Sequence, residues 1–249
     1  YQKLKRVVYI PQMEGRTYRT AAVDMSSFIM RGSSVLMIVN TKDAAWNIFQ
    51  FVSELLKESE YRLTEIRQGL SDEAIAECAE KSGETEILCV HLSTLMCPMH
   101  RKEILRWLKV WQKKKKRVCC VSTALIEAGI NVSFPIVIRS LAGIPSIIQA
   151  AGRCNRNCEA DYGTVYLWNL SEERLGRLRD IQRGGEICKN LLSRIENSDE
   201  LGKPGMIEQY FAKEEVYTRE VEQYPYKVWN SDLVTMLSVN RECLIEAEN

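Results

Sequence analysis

The chain has 249 residues, 45% of them apolar and 27% charged, and its 34 Lys and Arg nearly balance its 33 Asp and Glu, which leaves a formal net charge of +1. A chain of this length can bury a core without disulfides or metals, and its balanced charge excludes a strongly basic or acidic protein, so a charged binding surface has to be local. Because there is no apolar run of about eighteen residues and no charged-then-apolar leader, the sequence predicts neither a membrane span nor a secretory signal.

The nine cysteines are scattered, and several lie inside apolar runs such as ILCV and VCCV. No CxxC pair occurs. This usage predicts a reduced, cytoplasmic protein without a structural zinc site. Because the chain begins at Tyr1 and not at Met, we expect it to be a piece of a longer protein.

Five short apolar runs, most of them followed by a helical pattern, come after a lead-in segment over residues 1–30. That segment contains an amphipathic stretch at about 19–31. The predicted strands are 33–40, 86–93, 117–122, 134–140 and 163–170, and the predicted helices between them are 42–59, 98–112 and 144–153. Strands that alternate with helices predict an α/β fold with a parallel sheet and helices on both faces.

The pattern changes after residue 170, where strands stop. Amphipathic helices are predicted at about 171–197, 204–219 and 231–240. The sequence therefore predicts a sheet domain over 31–170 and a helical linker or extension over 171–249.

Hydroxyl side chains follow three of the predicted strands, at the carboxyl ends where open parallel sheets bind ligands. Hydroxyls and free N–H groups at helix starts suit phosphate, although each Ser or Thr alone is also an ordinary helix cap. Three such positions along one edge favour a phosphate-binding track. Its members are Thr41, Ser93, Thr94, Ser122 and Thr123.

Two arginines in QAAGRCNRN, residues 149–157, form the other candidate site. At i and i+3 on a helix, Arg153 and Arg156 would share one face, and paired guanidinium groups suit bidentate contact with phosphate oxygens. Cations at a helix end also complement its carbonyls. That alternative does not explain Gln149 and Gly152 beside them, the glycine allowing a partner surface to approach closely.

These segments resemble motifs of superfamily-two helicases. QAAGRCNRN resembles motif VI, VSTALIEAGINVSFP (121–135) resembles motif V, and SVLMIVNT (34–41) resembles motif IV, in the family's order. The match is to a second RecA-like domain over about 30–170. More narrowly, these segments, together with LSTLMCPMHR (92–101) and SDLVTMLSVNREC (231–243), resemble the HD-nuclease-linked helicase of type I CRISPR systems, over nearly the whole chain.

The resemblance implies that ATP with Mg²⁺ binds between this lobe and a first RecA-like lobe, which supplies the P-loop and the acidic motif. Arg153 and Arg156 would then reach the γ-phosphate as arginine fingers, and Gln149 would contact the nucleotide or the attacking water. The residues implied near the nucleotide and the cleft between lobes are Gly129, Asn131 and Gly152.

The resemblance also implies the partners. The five hydroxyl residues of the predicted track would hold single-stranded DNA by its phosphates, and opening and closing of the lobes would move that grip along the strand. An HD nuclease domain outside this sequence would carry the nuclease metals. A type I CRISPR effector complex would recruit the whole protein.

Several features of the family's chemistry are absent from the sequence. No GxxxxGK[ST] occurs, so the chain alone is predicted not to hydrolyse ATP. SDEAI (71–75) mimics an acidic Mg²⁺ motif, but it follows polar residues and predicts a helix start with Ser71 as N-cap. The two histidines, His91 and His100, have no neighbouring Asp and predict a packed core residue and a surface or capping residue.

The sequence departs from the family pattern at two positions of motif V. Glu127 and Asn131 stand where many superfamily-two members have Arg and Asp.

The remaining basic and aromatic residues have ordinary structural interpretations. The basic run at 113–117 predicts a solvated helix end, with DNA binding as the alternative. Trp46, Trp107 and Trp111 predict core positions, and Trp168 a place at the cleft.

Two other functions fit the sequence. One is a non-enzymatic nucleic-acid-binding or regulatory module, which the missing P-loop favours. The other is a lobe of a different superfamily-two helicase that acts on RNA or branched DNA. The tail and the LSTLMCPMHR stretch favour the CRISPR reading.

Overall fold

A computed structural model describes residues 6–127, 129–195, 198–222, 226–227 and 233–234. The chain divides into two compact units, Tyr1–Gly202 and Lys203–Asn249. The second unit contains a helix and a short antiparallel strand pair, and the first contains the large sheet and both candidate sites.

The first unit is built on a seven-stranded sheet in which every neighbouring pair of strands is parallel. The strand order is β1-β7-β6-β2-β5-β4-β3. The strands are β1 Val7–Arg16, β2 Val35–Val39, β3 Arg62–Leu63, β4 Glu86–Leu92, β5 Val118–Thr123, β6 Ile136–Ser140 and β7 Gly163–Leu170. The predicted α/β fold with a parallel sheet is confirmed, and each of the five predicted strands is present.

Helices cover this sheet. All five residues of β2 are buried, so both faces of this central strand are covered, as parallel sheets require. The helices of the first unit are α1 Tyr18–Met30, α2 Lys42–Glu58, α3 Asp72–Lys81, α4 Pro98–Lys113, α5 Ile144–Ala151 and α6 Arg179–Leu192. The second unit contains α7 Pro204–Glu222 and the strands β8 Tyr226–Lys227 and β9 Leu233–Val234.

Two helix starts follow directly from cap residues. Thr41 accepts a hydrogen bond from the N–H of Ala44 at 3.1 Å and begins α2. Ser71 accepts one from Ala74 at 3.2 Å and begins α3. The interpretation of SDEAI as a helix start is therefore confirmed.

The main core cluster lies between the sheet and the first two helices. Met25 and Ile29 of α1 and Ile48 and Val52 of α2 are fully buried against strands such as β2. Their spacing of four residues puts each pair on one face of its helix, and this face carries the packing.

β1 lies inside the lead-in segment, where no strand was predicted. Val7–Arg16 contains Pro11 and Gly15, which are poor strand formers, yet it pairs with β7 along its length. An edge position tolerates Pro11, and the register shifts between Gln12 and Gly15. Residues 1–30 therefore contribute an edge strand and a core helix, and the domain limits at 30/31 and 170/171 stay a prediction.

The predicted helices beyond residue 170 have mixed outcomes. The helix expected at 171–197 is shorter, Arg179–Leu192, and the one expected at 204–219 is Pro204–Glu222. The helix expected at 231–240 is wrong at Leu233–Val234, which form a strand, and its other residues lie outside the described ones.

The tryptophan predictions also divide. Trp107 and Trp111 are buried and stack with ring centroids 6.1 Å apart. Trp46 is 46% exposed, so its predicted core position is wrong. Its neighbours Ala44 and Ala45 and the later residues Ile48 and Val52 are fully buried, so Trp46 lies on the side of α2 that faces away from this core. Trp168, placed at the cleft by the sequence, is buried and donates from Nε1 to Gln12 at 2.7 Å.

Candidate functional site

The segment after α5 is tied to the beginning of β6. The N–H of Phe134 donates to the carbonyl of Arg153 at 2.9 Å, and the N–H of Asn155 donates back to the carbonyl of Phe134 at 2.9 Å. Cys154 is buried between them, with Sγ 3.4 Å from the carbonyl oxygen of Thr164. A Cβ on Gly163 would come within 2.5 Å of that sulfur, so glycine is required there.

Arg153 is directed into the protein. Its side chain is among the buried charged groups, with only 7% of the residue exposed. Nε donates to the carbonyl of Ile126 at 3.0 Å, and Nη2 donates to the carbonyl of Glu127. Burial lowers the pKa of this guanidinium, and the nearby charge of Arg156 lowers it further. Arg153 thus fixes the turn after β5 to the end of α5.

Arg156 is directed outward. The residue is exposed, and its backbone N–H donates to Oγ of Ser133 at 3.0 Å. Among the described residues, no hydrogen-bond or ion-pair partner holds its guanidinium. The expectation that Arg153 and Arg156 share a helix face is therefore wrong, because α5 ends at Ala151 and helical spacing no longer applies beyond it.

The other residues predicted near a nucleotide lie on α5, at its end, or on the segment between β5 and β6. Gln149 and Asn131 are exposed. Gly129 has φ of +70°, a conformation that favours glycine, so its place in the turn has a backbone reason. Gly152 caps α5 with a helical φ of −61° and is partly exposed. Their contact with a nucleotide stays a prediction.

A buried ion pair lies behind the turn. Nε of Arg139 is 2.9 Å from Oε1 of Glu127, and the two side chains expose 2% and 4% of their surfaces. Oγ of Ser146 contacts the Glu127 carboxylate at 3.0 Å and accepts from Nη2 of Arg139 at 2.9 Å. Burial raises the pKa of Glu127, and the charge of Arg139 opposes that rise. Sequence reasoning missed this pair because an Arg inside an apolar strand gives no indication of its partner.

A second set of contacts gathers around Glu173 at the carboxyl ends of β2 and β6. Its carboxylate accepts from the backbone N–H of Asn40 at 2.6 Å and of Thr41 at 2.9 Å. It also accepts from Nδ2 of Asn40 at 3.0 Å and from the hydroxyl of Ser140. The donors expected to meet a phosphate at Thr41 are thus occupied by a carboxylate of the same chain.

The other hydroxyls of the predicted track differ in access. Thr94 is exposed, whereas Ser93, Ser122 and Thr123 are buried. Ser122 donates to the carbonyl of Thr123 at 2.8 Å. Oγ of Ser93 is buried and has no hydrogen-bond partner among the described residues. DNA contact by these residues stays a prediction, and in this conformation Thr41 and Thr94 are the accessible members.

The basic run has several partners inside the protein. Lys114 forms an ion pair with Glu80, and Nζ of Lys116 donates to the carbonyl of Ser82 at 2.8 Å. Arg117 donates to the carbonyl of Ile29 at 3.3 Å and lies over the ring of Tyr61. These carbonyls lie at the ends of α1 and α3, so Lys116 and Arg117 complement helices other than the one that precedes them. The predicted solvated helix end fits Lys113 and Lys115, which are exposed at the end of α4.

His91 is partly buried and packs against aromatic rings, with centroids 5.4 Å from Trp46 and 5.7 Å from Phe49. Burial lowers its pKa. Within the part of the chain that the structure describes, no three His, Cys, Asp or Glu side chains cluster as metal ligands would. None of the described helices has the length and apolar character that crossing a membrane requires.

The family follows from a comparison of the sequence with models of known families. A model described as CRISPR-associated nuclease/helicase Cas3, C-terminal, matches residues 31–159, which is more than half of the chain. The chain belongs to this family. The matched range contains the turn, the buried ion pair and both motif VI arginines, and the resemblance given by the sequence motifs is confirmed.

Relatives of this Cas3 chain agree with the assignment. A CRISPR-associated nuclease/helicase Cas3 from Haloferax volcanii is 33% identical over 90 residues, which are 35% of this chain and 10% of that protein. The crystal structure of T. fusca Cas3 with AMPPNP has a TM-score of 0.59 at 13% identity and covers 89% of this chain. The T. fusca structure with ATP gives 0.52 at 16% identity and covers 87%.

These comparisons show the RecA-like fold of a Cas3 helicase lobe, as the sequence predicted. The chain spans only 27% and 26% of the two T. fusca chains and a tenth of the Haloferax protein. The chain therefore corresponds to one region of much longer relatives.

Proposed function

We propose that the chain is the second RecA-like lobe of an ATP-dependent translocase and helicase that moves on single-stranded DNA. With an HD nuclease it would unwind and degrade invader DNA, recruited by a type I CRISPR effector complex. The family assignment supports the helicase class. The observation that carries the proposed mechanism is the exposed guanidinium of Arg156 on a loop that Arg153 fixes from inside.

In this proposal the two arginines have different tasks. Arg156 is the arginine finger, because its guanidinium is exposed and charged and can reach a phosphate held by a first lobe. Arg153 is expected to reach the γ-phosphate only if it leaves the carbonyls of Ile126 and Glu127. Until then it positions the loop, and its role as a second finger stays a prediction.

Exposed polar residues on α5 and on the loop that leads into β6 fit the same ligand. Gln149 and Asn131 can hydrogen-bond a water, a phosphate oxygen or a ribose hydroxyl, although Asn131 brings no charge to a ribose. The sequence lacks a P-loop, so ATP and Mg²⁺ are assigned to a site completed by the first lobe. The T. fusca Cas3 structures with ATP and AMPPNP support nucleotide binding in this family.

The proposed DNA contact lies at the carboxyl ends of the parallel strands. Thr41 and Thr94 are accessible there, and single strands are gripped by phosphate contacts that do not read sequence. Glu173 occupies the donors of Asn40 and Thr41, so a phosphate at that position has to displace a carboxylate. Part of the grip therefore depends on movement of the Glu173 loop.

The decisive experiment is ATP turnover by the complete protein that carries this chain and a P-loop lobe, measured with single-stranded DNA. Arg156→Ala is expected to lower kcat by about 10³- to 10⁵-fold, the range known for arginine fingers. Arg194→Ala, which removes an exposed arginine beyond α6, is the matched control and is expected to keep the parent rate. Full turnover by Arg156→Ala would overturn the proposal that this lobe supplies the arginine finger.

A further inference from the structure

A continuous set of contacts runs from the turn that holds Arg153 to the strand edge. The carbonyl of Glu127 accepts from Arg153, and the carboxylate of Glu127 lies 2.9 Å from Nε of Arg139. Nη1 of Arg139 donates to Oδ1 of Asn40 at 2.8 Å. Nδ2 of Asn40 then donates to the carboxylate of Glu173 at 3.0 Å. These five side chains connect the two regions to which the proposed function assigns nucleotide and DNA.

The centre of this set is shielded from water. Arg139 and Glu127 expose 2% and 4% of their side chains, and Arg139 also donates to the carbonyls of Ile38 at 3.4 Å and Ser140 at 3.0 Å. Buried charges with several fixed partners have few alternative positions, and water does not replace a partner that moves. These contacts give a route by which a displacement of Asn40 would reach Arg139 and then Glu127.

The partners lie on different elements. Arg139 is on β6, Asn40 directly follows β2, and Glu127 follows the short 3-10 turn Ala124–Ile126 after β5. Three adjacent strands thus meet at one guanidinium. The backbone carbonyl of Glu127 accepts a hydrogen bond from Arg153. The position of the Glu127 side chain is therefore linked to the position of the segment that carries Arg153 and Arg156.

We propose that the Glu127–Arg139 ion pair is a positioning pair. It couples DNA binding at the carboxyl ends of the strands to the position of the segment after α5, which carries Arg153 and Arg156. The inference rests on the proposed function, in which the edge holds single-stranded DNA and the loop carries Arg156. Neither member of the pair contacts a ligand. The pair makes ATP turnover depend on DNA, because the turn after β5 shifts when Asn40 and Glu173 change partners.

The test is the ratio of ATP turnover with oligo(dT) to turnover without it, in the complete protein with a P-loop lobe. Glu127→Gln combined with Arg139→Met removes both charges at nearly unchanged volume. The ratio is expected to fall roughly 2- to 30-fold, the range by which coupling residues shift linked sites. The KM for ATP and the Kd for oligo(dT) are expected to stay at the parent values, because both binding regions remain.

A matched control removes a different ion pair. Arg106→Met combined with Glu103→Gln deletes their contact of 2.8 Å on α4, together with the contact of Arg106 with Asp72 at 2.7 Å, and is expected to leave the ratio unchanged. If the test variant unfolds, Glu127→Asp combined with Arg139→Lys keeps both charges with altered reach and is expected to give a reduced ratio. A parent-like ratio in a folded variant of either kind overturns the inference.

The outcome is separable from the proposed function. If Arg156→Ala abolishes turnover while the pair variant keeps the parent ratio, the lobe supplies a finger and the coupling assignment alone is wrong. If Arg156→Ala turns over normally, the proposed function itself fails. If the ratio and the melting temperature both fall while KM and Kd rise, the pair is a stabilising contact only, and the inference is wrong.

Discussion

At the residue scale, the two motif VI arginines show what a sequence pattern predicts and what it does not. The types and order of QAAGRCNRN indicate a phosphate-directed segment, but the spacing of the arginines does not show which of them is available. Because α5 ends before Arg153, one arginine turns to the carbonyls of Ile126 and Glu127 while Arg156 remains exposed. The same limit applies to Arg139, whose partner Glu127 is distant in sequence and adjacent only after folding.

The buried pair also gives a prediction about stability. Arg139→Met alone leaves the Glu127 carboxylate buried without its cation, so we expect the free energy of unfolding to fall by about 3–5 kcal/mol. Adding Glu127→Gln removes the unpaired charge and is expected to restore most of that loss. Urea unfolding of this chain checks both variants. Equal destabilisation by the single and the double variant would contradict a cost that arises from an unpaired charge.

At the scale of elements, the sequence predicts those with strong local signals. Capped helices such as Lys42–Glu58 and continuous apolar strands such as Val118–Thr123 appear nearly where the periodicity places them. The edge strand Val7–Arg16 has no such signal, because its polar residues and Pro11 become a strand only through pairing with β7. The loop of Glu173 is likewise defined by partners at Asn40 and Ser140 that the sequence does not reveal.

The end of α4 provides a second prediction. Lys114 and Lys116 contact groups of the same chain, whereas Lys113 and Lys115 are exposed. We therefore expect Lys114→Ala with Lys116→Ala to lower the free energy of unfolding by up to about 1 kcal/mol, the scale of exposed ion pairs. Lys113→Ala with Lys115→Ala serves as the matched pair and is expected to leave stability unchanged.

Binding of oligo(dT) at several salt concentrations completes that comparison. If the basic run at 113–117 only complements helix ends, both double variants keep the parent slope of log affinity against log salt concentration. A slope reduced by about 0.7 for each lysine removed would instead identify phosphate contacts and contradict the structural interpretation.

At the scale of the whole molecule, the chain is one lobe of a Cas3-family protein with an arginine-bearing surface directed outward. Fold class, motif order and family were predictable, because they depend on local patterns that recur along residues 31–159. The access of each site residue was not predictable. Three of the five track hydroxyls are buried, and the burial of Ser93, Ser122 and Thr123 depends on packing between elements.

The central claim is that Arg156 stabilises charge on a phosphate held by another lobe. A finger acts on the transition state more than on bound substrate, so the most direct measurement compares two ligands of the complete protein. Arg156→Ala is expected to weaken binding of ADP with aluminium fluoride by about 10²-fold or more while AMPPNP affinity changes by less than about 3-fold. Equal effects on both ligands, or none on either, would contradict the account.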